Sequence, residues 1–367
     1  MKVTGFGLYR FRLPLTGPLF LKGTTLERRE GMLLRLEGED GAVGWGETSP
    51  LPGFSRESLP DATRGLGDMA ASVVGREVSI DWIGMDGTLA RMLDPAGLAP
   101  SVRFGFELAA WNLYAATHGV TLPALISERS RAVVPLNGLL AGPFSAAPVE
   151  ARRMREEGYE AVKLKVGGRP VEEDVLLVRA VKEALGESVA LRLDANRAWT
   201  LHEALEFARG IEGVPVEYLE EPLANPASLE TFARSCGVPV ALDESLVGMV
   251  PGTLQEHRYA GAVVMKPSLL GGISRVLRLA DRAASLGIRP VISSAYETGV
   301  GTAALVALAA GIGGGVPAGL DTYRRFAGDV VEPRLPLPAS HVQVRKTVAS
   351  GSGVVLRGLF PESRLVG

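Results

Sequence analysis

Cysteine is almost absent from this 367-residue chain, with Cys236 the only one. That excludes an internal disulfide and any cysteine-based metal site. The thiol reads instead as an apolar residue buried just before a strand. Histidine is scarce as well: His118, His202, His257 and His341 are scattered, so no histidine cluster accompanies the acidic residues. Long apolar runs are missing; Ala303 to Ala310 is too short to span a bilayer and ends in glycines. Neither sign of charge dominates, since 39 Lys and Arg face 41 Asp and Glu for a net charge of −2. Nothing therefore favours nucleic acid or an anionic membrane surface as partner. The start, Met1-Lys2-Val3-Thr4, runs straight into strand-like sequence without a signal-peptide core, which leads us to expect a cytoplasmic protein.

What is present is ordinary in bulk and specific in detail. Hydrophobic residues make up 46% and charged residues 22%, the balance of a soluble globular protein. The length suits a barrel plus an additional domain. Between Lys163 and Lys266 lie five charged clusters: Lys163-Leu164-Lys165, Asp194-Ala195-Asn196, Glu220-Glu221-Pro222, Asp243-Glu244-Ser245 and Lys266-Pro267-Ser268. Each follows a short apolar run that reads as a buried strand: Ala161-Val162, Val189 to Leu193, Val216 to Leu219, Val238 to Leu242 and Ala262 to Met265. Helical stretches such as Val171 to Leu185 and Leu201 to Arg209 separate them. A strand and helix repeating every roughly 25 to 30 residues is the unit of a parallel barrel or a doubly wound sheet. Ligands meet such sheets at the carboxyl ends of the strands, where all five clusters fall.

The charges suggest a chemistry. Asp194, Glu220 and Asp243 converge if their strands are barrel neighbours, and three close carboxylates repel unless a cation sits between them. All are hard oxygen donors, so Mg²⁺ is the natural ion, with Mn²⁺ as an alternative. Lys165 and Lys266 on the flanking strands would face each other across it. A nearby cation and a second lysine disfavour the ammonium form, which tunes either lysine toward a general base. A metal opposite a lysine suits proton abstraction beside a carboxylate, because positive charge stabilises the enediolate formed. A lone Asp or Lys at a strand end is ordinarily a helix cap or a solvated charge. Five in register across five successive units are not explained that way.

Along the chain, residues 1 to about 47 alternate like an antiparallel meander, with strands expected at Val3 to Leu13, Gly31 to Glu37 and Ala42 to Glu47. Leu15 to Arg29 reads as a mobile loop and a lid. Ser49 to Ser55 is a second Pro/Gly-rich loop, with Phe54 at its tip. Residues 57 to 118 read as largely helical, and Val102 to Trp111 as an apolar segment packed under the meander. The barrel is expected to begin near Val133 to Asn137 and to use Ile288 to Ile292 and Val316 to Leu320 as later strands. Gly313-Gly314-Gly315 lacks the residues of a phosphate loop. The expected organisation is an α+β capping domain over residues 1–125 and a barrel over 126–324. Residues from about 325 to 367, strand- and loop-like, would return to the cap.

In that order Lys-x-Lys, Asp-x-Asn, Glu-Glu-Pro, Asp-Glu-Ser and Lys-Pro resemble the enolase superfamily, muconate-lactonizing-enzyme subgroup. Gly44-Trp45-Gly46-Glu47 through Ser55, Arg192 through Trp199, Ser293-Ser294 and Gly319-Leu320-Asp321-Thr322 look most like its o-succinylbenzoate synthase family, over nearly the whole chain. The resemblance implies an α/β fold, a modified TIM-type (β/α)7β barrel with an N-terminal α+β capping domain. It implies Mg²⁺ on Asp194, Glu220 and Asp243, Lys165 as base and later acid, and Lys266 stabilising the enolate. Lys163 would support a ligating carboxylate or act on Lys165. Glu221 and Glu244, pointing away by alternation, would be supporting partners. In such a family both loops close over the barrel mouth, which makes Leu19, Phe20, Lys22 and Phe54 substrate contacts. Arg192 and Asn196 would orient substrate or ligand; Ser293, Ser294, Gly319 and Leu320 would line the last two units. The implied partner is a small-molecule carboxylate, and a homo-oligomer is compatible with the sequence.

The implied reaction is loss of water from 2-succinyl-6-hydroxy-2,4-cyclohexadiene-1-carboxylate, giving 2-succinylbenzoate for menaquinone. An N-succinylamino acid racemase would share every catalytic residue. A dipeptide epimerase would carry Asp-x-Asp where this chain has Asp321-Thr322-Tyr323. A mandelate-racemase type enzyme would place a histidine where Ser293-Ser294 stands, and an idle barrel used for binding would not keep the whole set.

Overall fold

The structure, a computed structural model, describes residues 1–21, 23–140, 143–312, 314–337, 340–356 and 358–365. Lys22 and Gly313, both singled out from the sequence, lie outside the described residues. A four-stranded antiparallel sheet orders Phe360–Leu365, Val3–Leu21, Thr24–Gly38 and Val43–Thr48 side by side. Its inner face buries Phe6, Leu8, Leu34 and Leu36 against Val102, Phe106, Ala109 and Leu113 of the long helix Pro100–His118. Helix and strand touch backbone to backbone. A Cβ on Gly44 would lie 2.1 Å from the Ala109 carbonyl oxygen, and one on Gly46 only 1.8 Å from that of Gly105. Only glycine permits that approach.

The segment Leu15 to Arg29 is not a loop. It extends the first two strands into a long hairpin, with Leu19 opposite Leu26, Phe20 opposite Thr25 and Leu21 opposite Thr24. Pairing satisfies the backbone groups that an open loop would leave to water, and threonines 24 and 25 suit a pleated strand. The ladder is interrupted between Pro14 and Leu19, where two prolines cannot donate.

Seven parallel strands curl into the second layer: Asn137–Leu140, Ala161–Lys165, Ala190–Asp194, Tyr218–Glu220, Val240–Leu242, Ala260–Met265 and Arg289–Ile292, each beside its sequence neighbour. The eighth position is minimal. Ala318 bridges Leu136 and Gly319 bridges Ser293, so two residues close the barrel where Val316 to Leu320 was expected. Val133–Pro135 also departs from expectation, pairing antiparallel with His341–Gln343 instead of opening the barrel. The connecting helices follow from sequence. Val171–Leu185 buries Leu177, Val178, Val181, Ala184 and Leu185 on one stripe. Leu201–Gly210 starts on a capping box in which Thr200 and Glu203 bond reciprocally. Gly299–Ile312 is buried through Ala310, and no described helix is long and apolar enough to cross a membrane. The helix Val344–Gly351 departs from the strand- and loop-like reading of the chain after about residue 325; its valine, threonine, serine and glycine are weak helix formers held by packing on Gly299–Ile312. The fold is thus a (β/α)7β barrel with an antiparallel N-terminal sheet, and the last strand returns to pair with Val3–Leu21.

Candidate active site

Strand register assembles the charged clusters. Lys165 stands opposite Asp194, which stands opposite Glu220, all at carboxyl ends; one layer below, Lys163, Arg192 and Tyr218 are opposite in turn. Alternation puts Lys163 and Lys165 on one face. Asp243 and Lys266 follow directly on the next two strands. Asp194, Glu220 and Asp243 are all buried. Lys163 Nζ donates to both Glu220 oxygens at 2.8 Å and lies 2.9 Å from Asp194 Oδ2. Lys165 Nζ donates to Asp194 Oδ2 at 2.9 Å and also to Asn196 Oδ1. Lys266 Nζ pairs with Asp243. In this arrangement ammonium groups span the carboxylates, and among the described residues no three Asp, Glu, His or Cys side chains close into a ready-made metal cage.

The electrostatics separate the groups. Burial alone would lower the Lys163 ammonium, but Asp194 and Glu220 outweigh it and hold it well above its ordinary range. The same balance, with Asp243 as partner, raises Lys266. Asp243 thus reverses the downward tuning expected for Lys266, which fits a permanent charge better than a base. Burial opposes ionisation of Asp194, yet Lys163 and Lys165 hold it below the usual carboxylate range. Glu220 goes the other way: burial, then Asp194, pushes it up to about 8 despite Lys163, and Asp243 adds to the rise. Like charges therefore crowd at that point, and three buried hard-oxygen donors fit a divalent cation. Lys165 differs in access, being 50% exposed where Lys163 and Lys266 are 14%.

Around these groups opens a cavity of about 480 Å³. Of the predicted site residues, Lys163, Lys165, Asp194, Asn196, Lys266, Ser293, Ser294, Gly319, Phe20 and Phe54 line it. Asp243 lines an adjoining cavity of about 560 Å³ that shares Phe54. Glu220 is fully buried and lines neither cavity, Arg192 and Leu320 lie off the wall, and Ser294 is on it but engaged. Arg192 does not reach the cavity; it is buried a layer below, bonding Glu217 Oε2 at 2.6 Å and the Pro317 carbonyl at 2.8 Å. Parity was right, but a long side chain on the lower layer finds partners there. Leu320 is fully buried in the core rather than on the wall. Ser294 lines the wall with its donors engaged: its hydroxyl donates to Glu297 Oε2 at 2.7 Å, and its N–H to the Gly319 carbonyl at 3.0 Å. Phe20, at the hairpin tip, is 75% exposed.

Sequence reasoning missed other wall residues: Leu139, Phe144, Arg169, Tyr296, Asp321, Thr322 and Arg325. Leu139 lies on the first barrel strand, and the others lie on loops and short turns after strands, where no periodicity marks orientation. One signal exists in the backbone. Asn196, Arg197, Glu221 and Tyr296 are the non-glycine residues with positive φ among those described, at 44°, 64°, 41° and 64°. Such strain gathers at sites the surrounding structure over-determines. Glu221 shows how: it accepts from the N–H groups of Asp243 (3.0 Å) and Ser245 (2.7 Å), and from Arg197 Nε at 2.8 Å.

Comparison with known proteins agrees with this fold. Residues 146–358 match the family model "Enolase C-terminal domain-like", and residues 3–113 match "MenC, N-terminal domain". The o-succinylbenzoate synthase of Haemophilus influenzae is 32% identical over 327 residues, covering 88% of this chain and 91% of that protein. Protein PHYLLO, chloroplastic, of Arabidopsis thaliana is 32% identical over 339 residues, but the chain spans only 20% of its length. Among solved structures, a dipeptide epimerase from Enterococcus faecalis, complexed with Mg and the dipeptide L-Leu-L-Tyr, superposes with a TM-score of 0.84 at 21% identity, covering 98% of this chain and 99% of that one. An N-succinyl Arg/Lys racemase from Bacillus cereus gives 0.82 at 22% identity, covering 99% and 96%. At those identities the structures speak for the fold alone.

Proposed function

The chain belongs to the o-succinylbenzoate synthase family of the enolase superfamily, and from that premise we propose that it removes water from 2-succinyl-6-hydroxy-2,4-cyclohexadiene-1-carboxylate to give 2-succinylbenzoate. The observation that carries the chemistry is the pairing of a half-exposed Lys165 with a buried, charge-holding Lys266 on one cavity that also bears Asp194. Lys165 takes the proton from the ring carbon beside the carboxylate and passes it to the departing hydroxyl, so that one water leaves and the ring becomes aromatic. Lys266 keeps its positive charge throughout and opposes the negative charge that develops on the substrate carboxylate. Lys163 holds Asp194 and Glu220 in place. Asp194, Glu220 and Asp243 would hold a divalent cation, which we propose to be Mg²⁺ or Mn²⁺. When bound, that ion supplies charge to fix the substrate carboxylate and lower the energy of the deprotonated state. Phe54, Phe20 and Leu19 cover the ring and keep water from it.

Aromatisation makes the second half of the reaction downhill, so stabilising the deprotonated species is the main task. An N-succinylamino acid racemase would use the same lysines, one on each face of an α-carbon. Side-by-side turnover of the cyclohexadiene carboxylate and a panel of N-succinylamino acids tests the assignment. Dehydration far faster than racemisation is expected. No dehydration alongside brisk racemisation would overturn it.

A further inference from the structure

The proposed substrate carries two carboxylates, one on the ring and one at the end of the succinyl tail. The lysine and carboxylate cluster takes the first. The second needs hydrogen-bond donors elsewhere on the same wall, and the sequence placed Ser293 and Ser294 there. Those donors are largely engaged. The N–H groups of Ser293 and Ser294 bond Met265 and Gly319 carbonyls, and the Ser294 hydroxyl bonds Glu297.

Five cationic side chains line the cavity: Lys163, Lys165, Lys266, Arg169 and Arg325. The three lysines are committed to Asp194, Glu220 and Asp243. Arg169 is paired with Asp174 at 3.0 Å and lies over the Phe144 ring. Arg325 stands apart. It makes no ion pair with any described residue; its Nη2 donates to the Pro18 carbonyl at 2.9 Å and reaches the Gly17 carbonyl at 3.5 Å, and its buried Nε has no hydrogen-bond partner. The acids nearest in sequence are occupied, Asp321 by Arg324 at 2.6 Å and the Leu139 N–H at 3.2 Å, and Asp329 by the N–H groups of Gly299 at 2.9 Å and Val330 at 2.7 Å. A partly buried guanidinium with spare donors and no counter-ion is costly unless an anion completes it. Its position is fixed, because the next residues knit into the hairpin base: Phe326 bridges Leu15, and the Ala327 N–H donates to the Pro14 carbonyl at 3.0 Å.

Resting on the function proposed above, we infer that Arg325 is the anchor for the substrate's tail carboxylate, so that the site selects dicarboxylates through a fork remote from the metal-type cluster. Arg325 is a positioning residue and touches no reacting atom. Its bond to Pro18 also ties tail recognition to the hairpin that carries Leu19 and Phe20 over the cavity.

The test compares a diacid with its tail amide. Calorimetric binding of 2-succinylbenzoate and of the same molecule with the tail carboxylate converted to an amide is measured on the full chain with Mg²⁺ present. The wild type should prefer the diacid by about 10- to 100-fold, the range for a hydrogen-bonded charge. In Arg325→Gln that preference should collapse to near unity, with KM for the cyclohexadiene carboxylate raised by a similar factor and kcat within a few-fold. Arg325→Lys should restore part of the preference, and unchanged Mg²⁺ binding in both variants would show that the site is folded. A diacid preference that survives in Arg325→Gln, or no preference in the wild type, overturns the anchor. Absence of dehydration in a wild type that still prefers the diacid strikes the function proposed above and leaves the anchor standing.

Discussion

Lys163 Nζ spans two of the three buried carboxylates, 2.8 Å from both oxygens of Glu220 and 2.9 Å from Asp194 Oδ2. One ammonium cannot satisfy both equally. Asp194, which also has Lys165, stays ionised, while burial, Asp194 and Asp243 push Glu220 up to about 8. Burial and its acidic neighbours thus dispose Glu220 toward holding a proton until a cation offsets them.

That gives a prediction about metal uptake. A chelator should abolish activity, and Mg²⁺ or Mn²⁺ should restore it. The sign of the pH effect follows from the raised carboxyl. Below about pH 8 the metal-free site carries the extra proton, so binding must release it and affinity falls as pH falls. Above pH 8 the proton is already gone and affinity should level off. Calorimetric Mg²⁺ titrations from pH 6 to 9, in buffers of different ionisation enthalpy, read both the slope and the proton. Full activity in rigorously metal-free protein would sink the three-carboxylate site.

The lysines should separate by their burial. Lys165→Ala removes the proposed base on its face of the cavity and should lower kcat by about 10²- to 10⁴-fold. Lys266→Ala removes a buried charge, which costs about 10²- to 10³-fold by analogy with oxyanion-hole donors, and leaves Asp243 unpaired. Single-turnover kinetics on each variant, with Mg²⁺ affinity checked, measure this. Near wild-type turnover by Lys165→Ala would mean that another group is the base.

The charged cluster was legible because two periodicities agreed: residues alternate along a strand, and strand ends recur at the spacing of a βα unit. Asp194 and Glu220 then had to be neighbours, as their register shows. Arg325 was not legible, since its orientation depends on a loop stitched to Pro14 and Pro18 from the far end of the chain. The eighth strand was overread for a related reason. Val316 to Leu320 is apolar enough for a strand, yet two bridges suffice to close the barrel. In the hairpin, glycine and proline signals suggested an open loop, and long-range pairing overrode them.

The contact between cap sheet and long helix predicts a sharp stability effect. In Gly46→Ala the new Cβ would lie 1.8 Å from the Gly105 carbonyl oxygen, backbone that cannot swing aside. Destabilisation of at least about 1–3 kcal/mol is expected. Gly67→Ala, inside Leu59–Val73 with nothing within 4 Å, is the control and should gain about 0.5–1 kcal/mol. Urea unfolding of both variants decides the matter through the midpoint at constant slope. Equal midpoints for the two would contradict the close approach.

Glu221 offers a test of how the cavity floor is held. Its carboxylate is fully buried and accepts from the backbone N–H groups of Asp243 and Ser245, the Ser245 hydroxyl and Arg197 Nε. It contacts the backbone of a proposed ligand without being one. Glu221→Ala would leave two backbone donors and a guanidinium without their acceptor, a loss of about 3–5 kcal/mol for a broken buried pair. Released from that hold, Asp243 should shift, and affinity for Mg²⁺ should drop by about 10- to 100-fold. Glu221→Gln keeps one acceptor oxygen and should recover part of both losses. If Glu221 serves only packing, Glu221→Gln and Glu221→Ala will lose stability without a change in Mg²⁺ affinity. Measuring both quantities on both variants separates a positioning role from a packing one, because only the former moves the cation.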